Sequence, residues 1–318
     1  MGFWNIMYSH EGILKAIRNP GLALREFNRV YNQKLIKNEP VMYNENGVNV
    51  VEEDWDTLII LDACRFDAFE ELATDLPGTL SKTESKAPAT NPFLRANFTD
   101  RELYDTVYVT ANPQLYRIES STYDLEHINV TFHSQIDIWQ DNWDENHRTV
   151  MPDVVTEAAR AAAEEYPNKR LIIHYLQPHA PYVGPTGVEQ LPTEYLNFWT
   201  SFEEGKFDIS LDKAKMAYRE NLELVLPYVA ELLSELGGKT VVTADHGELL
   251  GERDRPIPVR QYGHPSNRFL RPLIEVPWLE HQNGPRRKIV SEAPNKQDEE
   301  EYDSASVASR LRDLGYVE

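Results

Sequence analysis

The chain has 318 residues, and its 41% hydrophobic content is enough for the core of one large α/β domain, alone or with small appendages. The 52 acidic residues outnumber the 32 basic ones, and the net charge of −20 excludes the basic surface that nucleic-acid binding requires. The same charge is typical of a soluble, self-repelling surface and fits an extremely halophilic protein, and the single cysteine excludes an intrachain disulfide.

The first 50 residues carry apolar side chains at the spacing of one or two amphipathic helices, interrupted at Asn19-Pro20-Gly21. This is also the one clearly basic segment of an acidic chain. Residues 1–37 therefore form either a helix that contacts a membrane surface or a partner, or a helix laid over the outside of the core, which we favour. No stretch approaches the roughly 20 apolar residues of a membrane span, and no secretory signal pattern is present. The expected location is cytoplasmic, with peripheral membrane contact as the alternative.

The first core strand is predicted at Asp56–Asp62, where the continuous apolar run Leu58–Leu61 is typical of a central parallel strand covered on both faces. The strand ends in the carboxylate of Asp62, and a helix follows to Leu72. In an open α/β sheet, ligands bind beyond the carboxyl ends of the strands, so Asp62 is a candidate site residue. Arg65 either adds positive charge to that site or forms an external salt bridge.

A polar segment, residues 80–98, becomes helical at Pro92–Phe98. Thr90 precedes Asn91-Pro92, which puts its side chain at or near the helix N-cap, with the proline early in the helix. That position is either purely structural or functional, because a helix N-terminus concentrates positive potential and unpaired amides that would stabilise an alkoxide and a phosphate. Ser85 and Thr83 compete with Thr90 for a catalytic role, since the polar loop fixes no register.

Further elements follow the expected α/β alternation. We predict strands at 106–110, 129–133, 170–176 and 273–279, and helices at 152–166, 211–236 and 304–314. Two prolines fix the loop after the strand at 170–176 and could hold His179 in place. Pro277 in the last strand suits a sheet edge.

A second strand with a polar end is predicted at Val241–Thr243, which leads into Asp245-His246-Gly247. A carboxylate beside an imidazole suits a divalent cation of the Zn, Mn or Mg kind, and Gly247 allows a sharp turn. The same tripeptide is also an ordinary strand-ending turn. Because Asp62 and Asp245 both end buried strands, the sequence favours a metal site assembled across the sheet.

The ordered set of Asp62, PHAPY at 178–182, TADHGE at 243–248 and the later Gly263-His264 resembles the alkaline phosphatase/sulfatase superfamily. The most similar branch is that of the sulfatase-like and phosphoglycerol-transferase-like proteins, particularly short members of the haloarchaeal type. The resemblance spans about residues 56–272. It implies an α/β fold with a mostly parallel sheet sandwiched by helices. We expect residues 1–50 to be a helical extension, 51–280 the catalytic domain, and 281–318 a polar linker and C-terminal helix.

The resemblance implies a metal-dependent hydrolase or transferase of phosphate esters with Thr90 as the nucleophile. The alternatives are a sulfate-ester hydrolase, or an inactive metal-binding or scaffold member of the fold. Asp62, Asp245, His246 and the Thr90 oxygen would hold one divalent cation (Mn²⁺, Zn²⁺, Mg²⁺ or Ca²⁺). Cys64 lacks the proline of a formylglycine sulfatase motif, so we expect a small buried cysteine.

Two-metal branches of this superfamily supply an aspartate and a histidine from the loop after the strand at 170–176. Here His179 stands where the aspartate is expected, and that loop contains no carboxylate. We therefore expect one tightly held cation, with His179 and His264 bound to substrate oxygens or protonating the leaving alcohol. The substrate and the oligomeric state are left open by the sequence.

Overall fold

A seven-stranded sheet forms the centre of the fold in the computed structural model, which describes residues 20, 21, 24, 27, 43–119, 127–191, 197–254, 257–266, 268–294 and 304–315. In chain order its strands are β1 (Thr57–Leu61), β2 (Thr79–Glu84), β3 (Arg101–Thr110), β4 (Val130–Asp137), β5 (Arg170–Tyr175), β6 (Gly238–Thr243) and β9 (Glu275–Asn283). The strands β7 (Leu249–Asp254) and β8 (Val259–Gly263) form a separate antiparallel hairpin.

The strand order is β2-β9-β6-β1-β5-β3-β4. The five strands from β6 to β4 are parallel to one another, and β9 runs antiparallel to β6 on one side and to β2 on the other. All residues of β1 are buried, as predicted for a central strand covered on both faces. The α/β class with a mostly parallel sheet is therefore confirmed.

Helices cover both faces of the sheet. They are α1 (Phe66–Leu72), α2 (Thr90–Phe98), α3 (Gln114–Glu119), α4 (Pro152–Glu165), α5 (Pro185–Gln190), α6 (Phe198–Glu203), α7 (Leu211–Glu235), α8 (Arg271–Ile274) and α9 (Ser304–Asp313). Successive side chains of β1 point to opposite faces. Ile59 and Leu61 join the core under α4 and α7, whereas Leu58 and Ile60 join the core under α2 and α3.

Two strand regions differ from the sequence prediction. The edge strand β2 falls in the segment interpreted as a polar loop, and β7 falls in residues 249–254, for which no strand was predicted. Most β2 side chains are exposed or half-buried, so no apolar run identifies the strand. The prediction that Pro277 lies at a sheet edge was wrong, because β9 lies between β2 and β6. Pro277 is tolerated there because the pairing of β9 with β6 covers only the residues from Leu279 onward.

The two ends of the chain have different outcomes. Nearly all of residues 1–37 lies outside the described residues, so their contact with a membrane or a partner stays a prediction. The cytoplasmic location and the domain boundaries also stay predictions. Among the described residues, no helix combines the length and apolar character needed to cross a membrane. The C-terminal helix α9 docks on the body of the protein, where Val307 and Leu311 are fully buried in the main core.

Candidate metal centre

The ends of β1 and β6 bring three predicted ligands together. These strands are neighbours in the sheet, so Asp62 after β1 meets Asp245 and His246 after β6 at the same edge. His246 Nε2 lies 3.6 Å from Asp62 Oδ1 and 3.4 Å from Asp245 Oδ2. All three side chains are fully buried, and their ligand atoms lie within 4.8 Å of one another. We call these residues the first group.

The first group is held in position by hydrogen bonds from behind. Asp245 Oδ1 accepts the backbone amides of Ala63 at 3.1 Å and His246 at 2.8 Å. Asp62 Oδ2 accepts a hydrogen bond of 2.7 Å from the side-chain amide of Asn112. Each carboxylate therefore has one oxygen fixed by the protein. Asp245 Oδ2 is buried without a hydrogen-bond partner, which is the condition of a ligand atom aimed at a cation.

The orientation of the His246 ring also suits a cation. Its Nδ1 lies 2.7 Å from the carbonyl oxygen of Gly247, which can only accept a hydrogen bond. Nδ1 therefore carries the proton, and Nε2 presents a lone pair to the two carboxylates. Gly247 is required for close packing, because a Cβ at this position would lie 2.0 Å from the carbonyl oxygen of Pro272.

Thr90, and not Ser85, reaches this group. Thr90 is the first residue of α2, and its buried Oγ1 lies 3.1 Å from His246 Nε2. The hydroxyl of Ser85 instead donates a hydrogen bond to the backbone carbonyl of Asp245 and supports that residue from outside. Thr83 lies within β2, paired with Val276 of β9. Thr90 is therefore the hydroxyl in contact with the first group.

A second group of ligand-type residues adjoins the first. His179, Glu248 and His264 offer ligand atoms within 4.8 Å of one another. His264 Nδ1 lies 3.1 Å from Glu248 Oε1, and the His264 ring centroid is 4.6 Å from that of His246. Glu248 is 1% exposed, and its Oε2 is buried without a hydrogen-bond partner. Two imidazoles and a carboxylate form a donor set that suits a divalent cation.

Glu248 corrects the premise on which a single cation was expected. That expectation rested on the loop after β5, which carries His179 and contains no carboxylate. The structure supplies the carboxylate from the loop after β6, because the hairpin β7–β8 starts there and carries His264 back towards Glu248. Glu248 is the last residue of the TADHGE motif, so the signal was present in the sequence without a role assigned to it.

Burial and neighbouring charges shift the pKa values of the three histidines. Burial, with the neighbouring imidazoles as a smaller contribution, holds the pKa of His179 and of His246 well below the usual range. Burial also opposes the charged form of His264, but the charge of Glu248 outweighs it and raises the pKa of His264. Burial raises the pKa of Asp245 as well. Neutral imidazoles at positions 179 and 246 are the form that binds metals.

The turn after β1 is fixed by the long helix α7. Ala63 has a φ of 60°, in the left-handed region that L-residues rarely adopt. The Tyr218 hydroxyl of α7 donates to the Ala63 carbonyl at 2.8 Å and accepts the Arg65 amide at 3.0 Å. The Arg65 side chain bonds to Asp67 and Glu252 at 2.6 Å each. Of the two alternatives for Arg65, the structure contains the salt bridge.

Cys64 is fully buried, as expected, and burial raises the pKa of its thiol well above the usual value. Its thiol belongs to neither of the two groups of ligand-type residues.

Comparisons with solved structures identify several similar proteins. One is the zinc complex of the C-terminal periplasmic domain of EptC from Escherichia coli, at 14% identity and a TM-score of 0.44, over 71% of this chain and 72% of that one. Another is lipooligosaccharide phosphoethanolamine transferase A from Neisseria meningitidis, an integral membrane protein, at 10% identity and a TM-score of 0.42, over 88% and 57%. A 2-O GAG sulfatase is similar at 13% identity and a TM-score of 0.40, over 72% and 64%. Neither a family model nor a curated protein matches the sequence. Sulfatases and phosphoethanolamine transferases are thus the proteins this structure resembles.

Proposed function

We propose that this protein is a metal-dependent hydrolase or transferase of phosphate esters that acts through Thr90. The observation that supports this most directly is the contact of 3.1 Å between Thr90 Oγ1 and His246 Nε2, at the start of α2. A nucleophilic hydroxyl, a metal-type ligand set and a helix N-terminus meet at one point. Helix N-termini favour anions because their first amides lack intrahelical partners.

The residues present fit two divalent cations. Asp62, Asp245, His246 and the Thr90 oxygen would hold one, and His179, Glu248 and His264 would hold the other. The buried oxygens Asp245 Oδ2 and Glu248 Oε2, which lack hydrogen-bond partners, support both sites. Such cations lower the pKa of a bound hydroxyl and draw charge from phosphoryl oxygens.

The chain's own groups account for the remaining chemistry. The Thr90 hydroxyl would lose its proton to water and its oxygen would attack phosphorus, so that a Thr90 O–P bond forms. The bond from phosphorus to the substrate oxygen would break, and the leaving alkoxide would take a proton from water. The backbone amides of Thr90 and Asn91, at the start of α2, would stabilise the phosphoryl oxygens. The third position, Pro92, has no N–H and contributes no donor. Water or an acceptor alcohol would then attack phosphorus and release Thr90.

Two alternatives remain. A sulfate ester has the same tetrahedral shape as a phosphate ester, but Cys64 does not provide the formylglycine route to its hydrolysis. An inactive scaffold would need no nucleophile at the ligand set, whereas Thr90 is buried against it. These observations favour phosphate esters and an active site.

Turnover of bis-p-nitrophenyl phosphate, p-nitrophenyl phosphate and p-nitrophenyl sulfate, with Mn²⁺ or Zn²⁺ added, tests the proposal. We expect activity on a phosphate ester that Thr90→Ala abolishes, with metal and inorganic phosphate still bound. Thr99→Ala, an exposed threonine at the other end of α2, is the matched control and should be fully active. Mass spectrometry should detect phosphate on Thr90 in trapped enzyme. If Ser85→Ala is the inactive variant and Thr90→Ala is active, the nucleophile is assigned to the wrong residue.

A further inference from the structure

A pocket of about 270 Å³ opens directly beside the second group. His179 and His264 form part of its lining, whereas no residue of the first group does. A molecule in this pocket would therefore approach the centre from the side of the second group. In the reaction proposed above, the part of the ester outside the transferred phosphoryl group must occupy such a space.

The lining of this pocket is unlike the rest of the protein in charge. Acidic residues make up 52 of the 318 in the chain, yet none of the described lining residues is acidic. Arg268 contributes a positive charge. Asn197, Thr200 and Gln261 add neutral side chains that can both donate and accept hydrogen bonds. The described lining therefore offers no carboxylate to an ammonium group, whereas its amide and hydroxyl side chains suit hydroxyl groups.

The apolar part of the lining combines a flat aromatic wall with the end of the C-terminal helix. The rings of Trp199 and Tyr262 stack at 5.7 Å with an interplanar angle of 12°. Leu314 and Gly315, which follow α9, also line the pocket. The Gly315 carbonyl accepts a hydrogen bond of 3.4 Å from Nδ2 of Asn197, the N-cap residue of α6.

The helix α9 is anchored firmly enough to serve as a wall. Leu311 is fully buried, and Leu314 is 4% exposed. Arg310 lies 5.1 Å above the Trp143 ring and forms an ion pair of 2.6 Å with Glu145. The polar outer face of α9, which includes Arg312, is exposed.

The volume limits the ligand. Pockets for drug-sized ligands span about 300–1,000 Å³, so this one lies below their lower bound. A group of the size of glycerol or one sugar ring would fill it. We propose, resting on the phosphate-ester function above, that the pocket binds a small hydroxylated, non-cationic alcohol group of the ester, and that Leu314 at the end of α9 sets the size limit of this subsite.

Calorimetry on the full-length chain that carries Thr90→Ala and is loaded with Zn²⁺, so that the probes bind without being turned over, tests this proposal with four probes: inorganic phosphate, glycerol 3-phosphate, glucose 1-phosphate and O-phosphoethanolamine. At least one polyol phosphate should bind about tenfold or more tightly than O-phosphoethanolamine. Leu314→Trp should weaken glucose 1-phosphate about tenfold or more and leave inorganic phosphate unchanged. Leu314→Ala should favour glucose 1-phosphate over glycerol 3-phosphate. Arg312→Trp, which adds the same bulk on the exposed face of α9, is the matched control and should change none of the four affinities.

Equal or tighter binding of O-phosphoethanolamine, or affinities that ignore Leu314→Trp, would overturn the proposal. If the tryptophan displaced α9 from the body, the pocket would widen, and glucose 1-phosphate would be favoured over glycerol 3-phosphate, as in Leu314→Ala. That result would also support Leu314 as the residue that limits the size of the subsite. Binding is measured without turnover, so the two proposals fail separately. A chain that binds polyol phosphates as expected but cleaves no ester would support the subsite and contradict the proposed enzymatic function. An active chain whose ligand selectivity does not change on substitution of Leu314 would support the function and contradict the subsite.

Discussion

The proposal of a second cation depends on the side chain of Glu248. Without it, the second group would be two imidazoles with no negative charge to offset a dication. Glu248→Gln keeps the shape and removes that charge. We expect elemental analysis after dialysis to give two ions per chain for the wild type and one for the variant, because the first group is unchanged.

A matched control for this prediction is Glu252→Gln. Glu252 lies four residues further on and bonds to Arg65, outside both groups. It should retain both ions. A wild-type chain that holds a single tightly bound ion, unaffected by Glu248→Gln, would restore the one-cation interpretation of the sequence.

His174 gives the centre a buried neutral neighbour with a measurable pH signature. Its Nδ1 lies 2.8 Å from the Tyr108 hydroxyl, and burial lowers its pKa from 6.5 to about 4. Between these values the unfolded chain binds a proton that the folded chain does not, so the free energy of unfolding falls as the pH drops below 6.5. The loss should reach about 3 kcal/mol near pH 4.

Chemical denaturation of the wild type and His174→Asn across pH 4–7 measures this contribution. The variant should be less stable at pH 7, because its packing is altered, yet the difference between the two proteins should shrink as the pH falls. Carboxylates that titrate in the same range are common to both chains and cancel in the difference. A difference that is constant with pH would show that His174 does not titrate as its burial implies.

At the scale of elements, the turn after β1 depends on α7. The Tyr218 hydroxyl bonds to both sides of the strained Ala63 turn, and the Ala63 amide in turn fixes Asp245. Tyr218→Phe leaves a buried carbonyl and a buried amide without their partner, which should cost about 1–3 kcal/mol of unfolding free energy. Cation affinity at the first group should fall as well.

Denaturant unfolding and calorimetric titration with Mn²⁺ measure the two effects. Tyr228→Phe, on the same helix and half-buried, is the control and should change neither. If Tyr218→Phe lowered stability but left cation affinity intact, the turn would be structural without positioning Asp245.

The sequence predicts best those elements whose hydrophobic pattern shows that they are buried. The strands β1, β5 and β6 each contain a run of apolar or β-branched residues, and α7 has a clear helical period ending before Gly237-Gly238. The edge strand β2 has no such pattern because its side chains are exposed or half-buried. The strands β7 and β8 have none because they pair only with each other, outside the central sheet. Tyr218 and Asn112, which support the centre from other elements, carried no local signal because they contact residues far away in the sequence.

At the scale of the whole molecule, the carboxylates at two strand ends could be predicted to meet, because parallel strands place their carboxyl ends at one edge. The pairing of Glu248 with His179 and His264 could not, since it depends on where a hairpin and a loop return in space. The pocket is even harder to predict from the sequence. It joins the loop after β5, the helix α6, the hairpin and the C-terminal helix, which are far apart in the sequence.

The excess of negative charge predicts that salt stabilises the whole molecule. With 52 acidic against 32 basic residues, repulsion acts across the entire surface. The Debye length falls from about 10 Å at 0.1 M salt to about 3 Å at 1 M, which screens this repulsion. Salt also weakens ion pairs such as those of Arg160 with Glu231 and Glu235, but exposed pairs contribute only about 0–1 kcal/mol each.

Repulsion should therefore prevail, and the melting temperature should rise between about 0.1 M and 1 M NaCl, by about 2–4 °C for each kcal/mol gained. Calorimetric scans of the metal-loaded chain at a fixed metal concentration measure the shift. Arg160→Ala, which raises the negative excess and removes pairs that salt weakens, should melt at a lower temperature in low salt and gain more from added NaCl than the wild type. A melting temperature that is flat or falls with salt, or an Arg160→Ala chain with the weaker salt response, would show that ion pairs rather than net charge dominate the electrostatic stability.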